Sequence, residues 1–200
     1  ARNCTGQLNC EETYYNPRTY PAFIKQVATE KLGYMRDFAK TSTIATILAP
    51  LLCVPLYDVT AGDWQIYAWF LLMSVVVTIR IFLVNSIDLN KDIALNFKKL
   101  NWGVGLVTFA WGMGWLLLVP EMTAVNYLLY QIISLSVLFV GMVGYCVNWK
   151  TFCAFVIPLK IPEVIFICAF YNQVIWPIAA GSLVTFYLAL KMALLFSRSW

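Results

Sequence analysis

The sequence predicts an all-α, polytopic membrane fold, and three observations predict it. Of its 200 residues 61% are hydrophobic and only 12% charged, against roughly 45–50% and about 25% in soluble domains. Mean hydropathy is +0.73. The apolar residues also gather into long runs, and a helical span needs about 20 of them, so the chain has room for six spans and little for a soluble domain. Strands of a membrane barrel alternate in and out over about 10 residues. These runs are about twice as long and do not alternate, and helices alone satisfy their own backbone in lipid.

Residues 1–20 show no periodicity and read as an irregular cytoplasmic segment. Pro21 suits the first position of a helix, and Phe23, Ile24, Val27, Ala28, Tyr34, Met35 and Phe38 recur at helical spacing with Lys25, Lys31 and Arg36 between them. Residues 21–40 are therefore expected as an amphipathic helix, either on the membrane surface or packed on the bundle. The spans follow at about 41–57, 64–85, 100–119, 124–147, 151–170 and 174–196. Pro50 and Pro55 predict a kink or broken end in the first. Between the second and third, residues 86–99 read as the longest internal loop, carrying Lys91, Lys98 and Lys99. Tight turns are expected at 58–63, 120–123 and 171–173, with a very short connection at 148–150.

Lys and Arg favour the cytoplasmic face. They occupy the amino-terminal segment, residues 91–99, Lys150 and Arg198, while the three opposite turns hold only Asp58, Asp63 and Glu121. Both termini are thus expected in the cytoplasm. Tyr57, Trp64, Tyr127, Tyr171 and Trp176 would form the outer aromatic girdle, and Trp102, Tyr145, Trp149 and Trp200 the inner one.

A net charge of +4 is too modest to point to nucleic acid, and the absence of His excludes a phospho-accepting His and His-ligated haem and weakens zinc readings. No phosphate-binding glycine loop, zinc-protease motif or nucleophile elbow occurs. No catalytic residue, metal site or cofactor is assigned. The six Cys form no C-x-x-C, and the four within apolar runs read as small hydrophobes.

Charge deep in a span is costly and so draws notice. Arg80 and Lys191 lie toward span ends and read as snorkelling cations. Lys160 and Glu163 fall about 9 and 12 residues into span five, roughly 14 and 18 Å deep. Their i, i+3 spacing places them on one face, and Pro158 and Pro162 free backbone carbonyls around them. They read either as a ligand site or as a structural ion pair. Gln131 and Ser134, with Ser136, lie at comparable depth, where interhelical hydrogen bonding is the plainer role. Trp111 and Trp115 flank Gly112 and Gly114, which either pack helices closely or leave room for an apolar ligand. Lys160, Glu163, Gln131, Ser134, Trp111 and Trp115 are the candidate ligand-binding set.

A pattern of spaced residues runs through the spans: Glu30 and Arg36, then Trp69-Phe70 and Arg80, Trp102, Ala110-Trp111-Gly112 and Pro120. Gly141 and Gly144, Phe152, Phe155, Pro158 and Pro162, and finally Gly181 and Tyr187 complete it. Over residues 28–197 the chain resembles the six-helix, MASE-like membrane input domains of bacterial signalling proteins, which precede diguanylate cyclase, phosphodiesterase or histidine kinase output domains. Lys160 and Glu163 depart from the apolar residues that pattern leads one to expect. The resemblance implies a receptor in the bacterial inner membrane and a small, partly apolar or amphipathic ligand. It also implies a homodimer and a relay through span six, which lacks Gly and Pro after Gly181, to an output domain beyond Trp200. A small transporter or channel, with Lys160, Glu163 and Gln131 lining a path, is the alternative, followed by a structural subunit of a membrane complex.

Overall fold

A computed structural model of the chain describes residues 20–53, 64–118, 124–169 and 176–199. All regular structure among them is helical: α1 (Tyr20–Cys53), α2 (Trp64–Asn85), α3 (Ile93–Gly112), the single-turn α4 (Gly114–Leu117), α5 (Ala124–Tyr145), α6 (Trp149–Ala169) and α7 (Trp176–Ser199). The expected turns at 58–63, 120–123 and 171–173, and the segment before Tyr20, lie outside the described residues.

Trp64–Asn85, Ile93–Leu117, Leu128–Tyr145 and Trp149–Ala169 are long and apolar enough to cross a membrane, and Ala180–Phe196 is a shorter apolar helix. Exposure runs opposite to that of a soluble protein. Leu71, Phe82, Leu52, Ile44 and Val143 stand on the surface, while Arg80, Gln131, Thr151, Lys160 and Glu163 are buried. Water would penalise a continuous apolar exterior of this kind and lipid does not, so the chain is a membrane protein.

Three expectations need correction. The helix at 21–40 and the apolar stretch after it are one continuous helix of 34 residues, α1, which runs through Pro50. Nothing between Lys40 and Thr41 breaks a helix, so the composition changes there while the backbone does not. Its inward face is Leu32, Met35 and Ala39, whereas Phe23 and Ile24 are exposed. The loop expected at 86–99 is only 86–92. Asp92 caps α3, its carboxylate accepting from Ala94 N at 2.9 Å and Leu95 N at 3.2 Å, so Lys98 and Lys99 belong to the helix. Span three, expected at about 100–119, begins at Ile93 and is interrupted at Met113.

The centre of the bundle is α3, packed most extensively against α6 and then α2; α1 covers α2, α3 and α5, and α7 rests on α6 and α5. Glycines and prolines set the closest approach. Pro158 and Pro162 stay inside α6, but each lacks an N–H, leaving the carbonyls of Ala154 and Pro158 without their helical donor. Both carbonyls face glycines of α3. Ala154 O lies 3.2 Å from where a Cβ on Gly105 would sit, and Pro158 O and Leu159 O lie 3.0 and 2.8 Å from that of Gly112. A glycine hydrogen pointing at a carbonyl there makes a weak Cα–H···O contact, so the freed acceptors become the helix interface.

Candidate functional site

Lys160 and Glu163 meet as their spacing predicts, at the middle of α6. Lys160 Nζ donates to Glu163 Oε2 at 2.6 Å and to Ser182 Oγ of α7 at 2.8 Å. Ser182 Oγ in turn donates to Glu163 Oε1. The ion pair is 6% and 3% exposed at its two side chains. The three groups form a closed, electrically neutral ring that ties α6 to α7, with every carboxylate oxygen engaged. Gln131 and Ser134 are also buried, but Gln131 Oε1 and Ser134 Oγ have no hydrogen-bond partner, and neither residue is joined to the ring.

Trp111 and Trp115 belong to an aromatic column. Trp111 lies 5.6 Å from Trp69 and is stacked 6.4 Å from Tyr130; Trp115 meets Tyr130 edge-on at 5.1 Å and Phe166 at 5.9 Å. The column services the break at Met113. Trp69 Nε1 donates to Ala110 O at 2.9 Å and Tyr130 OH to Trp111 O at 3.1 Å, which supplies donors where the helical ladder is interrupted and no water is at hand. Gly114 leaves room for the Tyr130 hydroxyl, which a Cβ would strike.

Arg80, read as a snorkelling cation, is instead 4% exposed and turned inward. Its guanidinium donates to Ala39 O at 2.9 Å, Ser42 Oγ at 2.7 Å, Tyr145 OH at 3.2 Å and Thr46 Oγ1 at 3.1 Å. All four acceptors are neutral, Nε has no partner, and among the described residues no carboxylate pairs with it. Gly103 of α3 packs beside it, where a Cβ would lie in ordinary van der Waals contact with Arg80 Cγ at 3.6 Å. Tyr145, expected in the inner girdle, is correspondingly buried and meets Phe38 and Phe155 at 5.2 and 5.6 Å.

Arg80 lines a half-open cavity of about 330 Å³ between α1, α2, α3, α5 and α6, together with Ser42, Thr46, Tyr145, Val137 and Trp111. Of the candidate set only Trp111 lines it. A broader groove between α3 and α6 carries Lys31, Lys98, Lys150, Trp102 and Trp149 along its wall. Sequence reasoning missed the Arg80 constellation because its acceptors stand 34 to 65 residues away; the one local signal was an arginine five residues inside the end of an apolar helix. Cys53 and Cys146 are buried as expected, whereas Cys168 is exposed. No group of His, Cys, Asp and Glu among the described residues is placed to hold a metal.

No protein-family model matches the chain, and no curated protein or solved structure is significantly similar to it.

Proposed function

We propose that the chain is the transmembrane sensory input domain of a bacterial signalling receptor, of the MASE-like type. In this reading it has six spans, both ends in the cytoplasm of an inner-membrane protein, and works as a homodimer. The observation that carries it is the cleft of about 330 Å³ to which five helices contribute, lined by both apolar side chains and Arg80. Small-molecule sites have volumes of about 300–1,000 Å³, mostly apolar walls and a few placed polar groups. A ligand there touches α1, α2, α3, α5 and α6 at once, so it can bias how they pack. The α7 helix supports a relay, running from Trp176 to Ser199 with no Gly or Pro after Gly181. The closed Lys160–Glu163–Ser182 ring favours a receptor over a transport path, whose polar groups need exchangeable partners.

Two measurements test this. Cysteine labelling in intact cells should reach residue 121 from outside and residue 98 only from the cytosol; the reverse pattern removes the topology. A fusion of the chain, after Trp200, to a dimeric output enzyme should change activity with amphipathic ligands and lose that response in an Ala49→Phe variant. Constant output across such ligands, or ligand flux into liposomes carrying the domain, would overturn the receptor reading.

A further inference from the structure

We propose that the Arg80 cavity binds a single-chain amphiphile with a carboxylate head, the chemistry of a free fatty acid. This rests on the receptor reading for its consequence and deepens it by naming the ligand class; the binding itself stands on four observations.

The first is charge. A guanidinium stays ionised inside proteins, and Arg80 is buried with only neutral oxygens accepting from it among the described residues. Taking an ion out of water costs several kcal/mol even after relaxation (about that scale in real proteins), and it is offset well only by a counter-charge. Glu163 supplies one to Lys160, and no described residue supplies one to Arg80. The second is unused capacity. Of the five guanidinium N–H groups, the one on Nε has no acceptor, and a carboxylate is the acceptor that gives the strongest bond.

The third is the polarity gradient along the cavity. Ser42, Thr46, Arg80 and Tyr145 stand at one end; Ala49 and Leu52 of α1 and Ile133 of α5 stand at the other. From Tyr145 to Ile133 is about 18 Å along the helix at 1.5 Å per residue. Thr108 and Ser136 also line the slot, but their hydroxyls are bonded back to Val104 O at 3.0 Å and Ile132 O at 2.9 Å, so a long slot with a cation and hydroxyls at its head and mostly hydrocarbon beyond fits one acyl chain rather than a compact polar solute. The fourth is the state of the surrounding hydroxyls. Ser42 and Thr46 also bond back to Ala39 O at 3.3 Å and Ser42 O at 2.8 Å, so their local partners persist whether or not a ligand takes over the guanidinium.

The test uses the whole chain in nanodiscs of neutral phosphatidylcholine, with radiolabelled laurate as probe, and dodecanol and lauroyl lysophosphatidylglycerol as competitors. Laurate should bind saturably and at least about tenfold more tightly than dodecanol, the scale of one hydrogen bond to a charged group. Arg80→Gln should weaken laurate by at least about tenfold and leave dodecanol unchanged, whereas Ala49→Phe, which fills the slot, should abolish both. Equal affinity of the wild-type protein for laurate and dodecanol would overturn the proposal. So would full laurate binding by a folded Arg80→Gln, and lysophosphatidylglycerol displacing laurate at lower concentration would overturn the carboxylate assignment. The laurate-to-dodecanol ratio needs no variant, so a misfolded Arg80→Gln does not protect the idea. Laurate binding without any effect on a fused output enzyme would remove the receptor reading and leave the site standing. A ligand response without laurate binding would do the reverse.

Discussion

Two buried cations in this bundle are handled in opposite ways. Lys160 carries its counter-charge three residues along its own helix and shares a serine with it, so the cluster is neutral and closed. Arg80 is surrounded by a carbonyl and three hydroxyls from α1 and α5, has no carboxylate partner among the described residues and borders a cavity. The difference separates an ion pair that ties two helices together from a cation that meets only neutral acceptors beside a cleft, although both are hidden from water.

The largest effect should come from breaking the closed cluster. Glu163→Gln leaves the Lys160 ammonium without its carboxylate and should cost about 3–5 kcal/mol, read by denaturant unfolding in detergent. The double variant Lys160→Met/Glu163→Leu should recover most of that loss. If it stays as unstable as the single variant, the pair does more than neutralise itself. Next is the α3–α6 contact. Gly112→Ala places a methyl 2.8 Å from Leu159 O, a backbone atom that cannot rotate away, and should cost about 1–3 kcal/mol. Gly181→Ala, with nothing within 4 Å, is its control and should stabilise by up to about 1 kcal/mol.

Trp69→Phe removes the donor to Ala110 O together with part of a fully buried indole, for an expected loss of about 2 kcal/mol; an unchanged unfolding midpoint would show that the break at Met113 needs no cap. Arg80→Gln sharpens the contrast from the other side. Ala39 O, Ser42 and Thr46 keep local partners and no described carboxylate is stranded, so without ligand its stability should change by about 1 kcal/mol, far less than in Glu163→Gln. A loss as large as that of Glu163→Gln would mean that Arg80 is structural.

The smallest effect concerns a solvated charge that resembles neither. Asp88, in the loop before α3, accepts from the Asn90 N–H at 3.0 Å and lies 3.3 Å from Lys91 Nζ. These hold its carboxyl below the usual value of 3.8. Its folded pKa being depressed, the stabilisation is present above that usual value and fades as pH falls through the folded pKa. Carboxyl-carbon NMR titration should place the midpoint below 3.8; a midpoint at or above it would show that the two contacts do not persist.

The long helices were legible because a hydrophobic run of span length is a local property, and α2 and α6 fall within two residues of where the sequence puts them. The start of α3 was misplaced because Lys98 and Lys99 were taken as loop residues, although Asp92 stood in the sequence as a cap. The Lys160–Glu163 pair was legible because i, i+3 contacts are set by helical geometry alone. Its third member, Ser182, was not, since it comes from another helix. Arg80 was misread for the same reason: whether an arginine near a helix end snorkels or turns inward depends on what faces it.

The sequence alone therefore determined that the chain is helical and apolar, where most of its long helices run, and which two charges on α6 meet, because each follows from spacing along a single helix. Only the tertiary structure decided that Arg80 is buried among neutral acceptors from α1 and α5, that proline-freed carbonyls of α6 face glycines of α3, and that a cavity remains beside Trp111. Those depend on how separate helices are placed against one another, and contacts between residues tens of positions apart leave no periodicity to read.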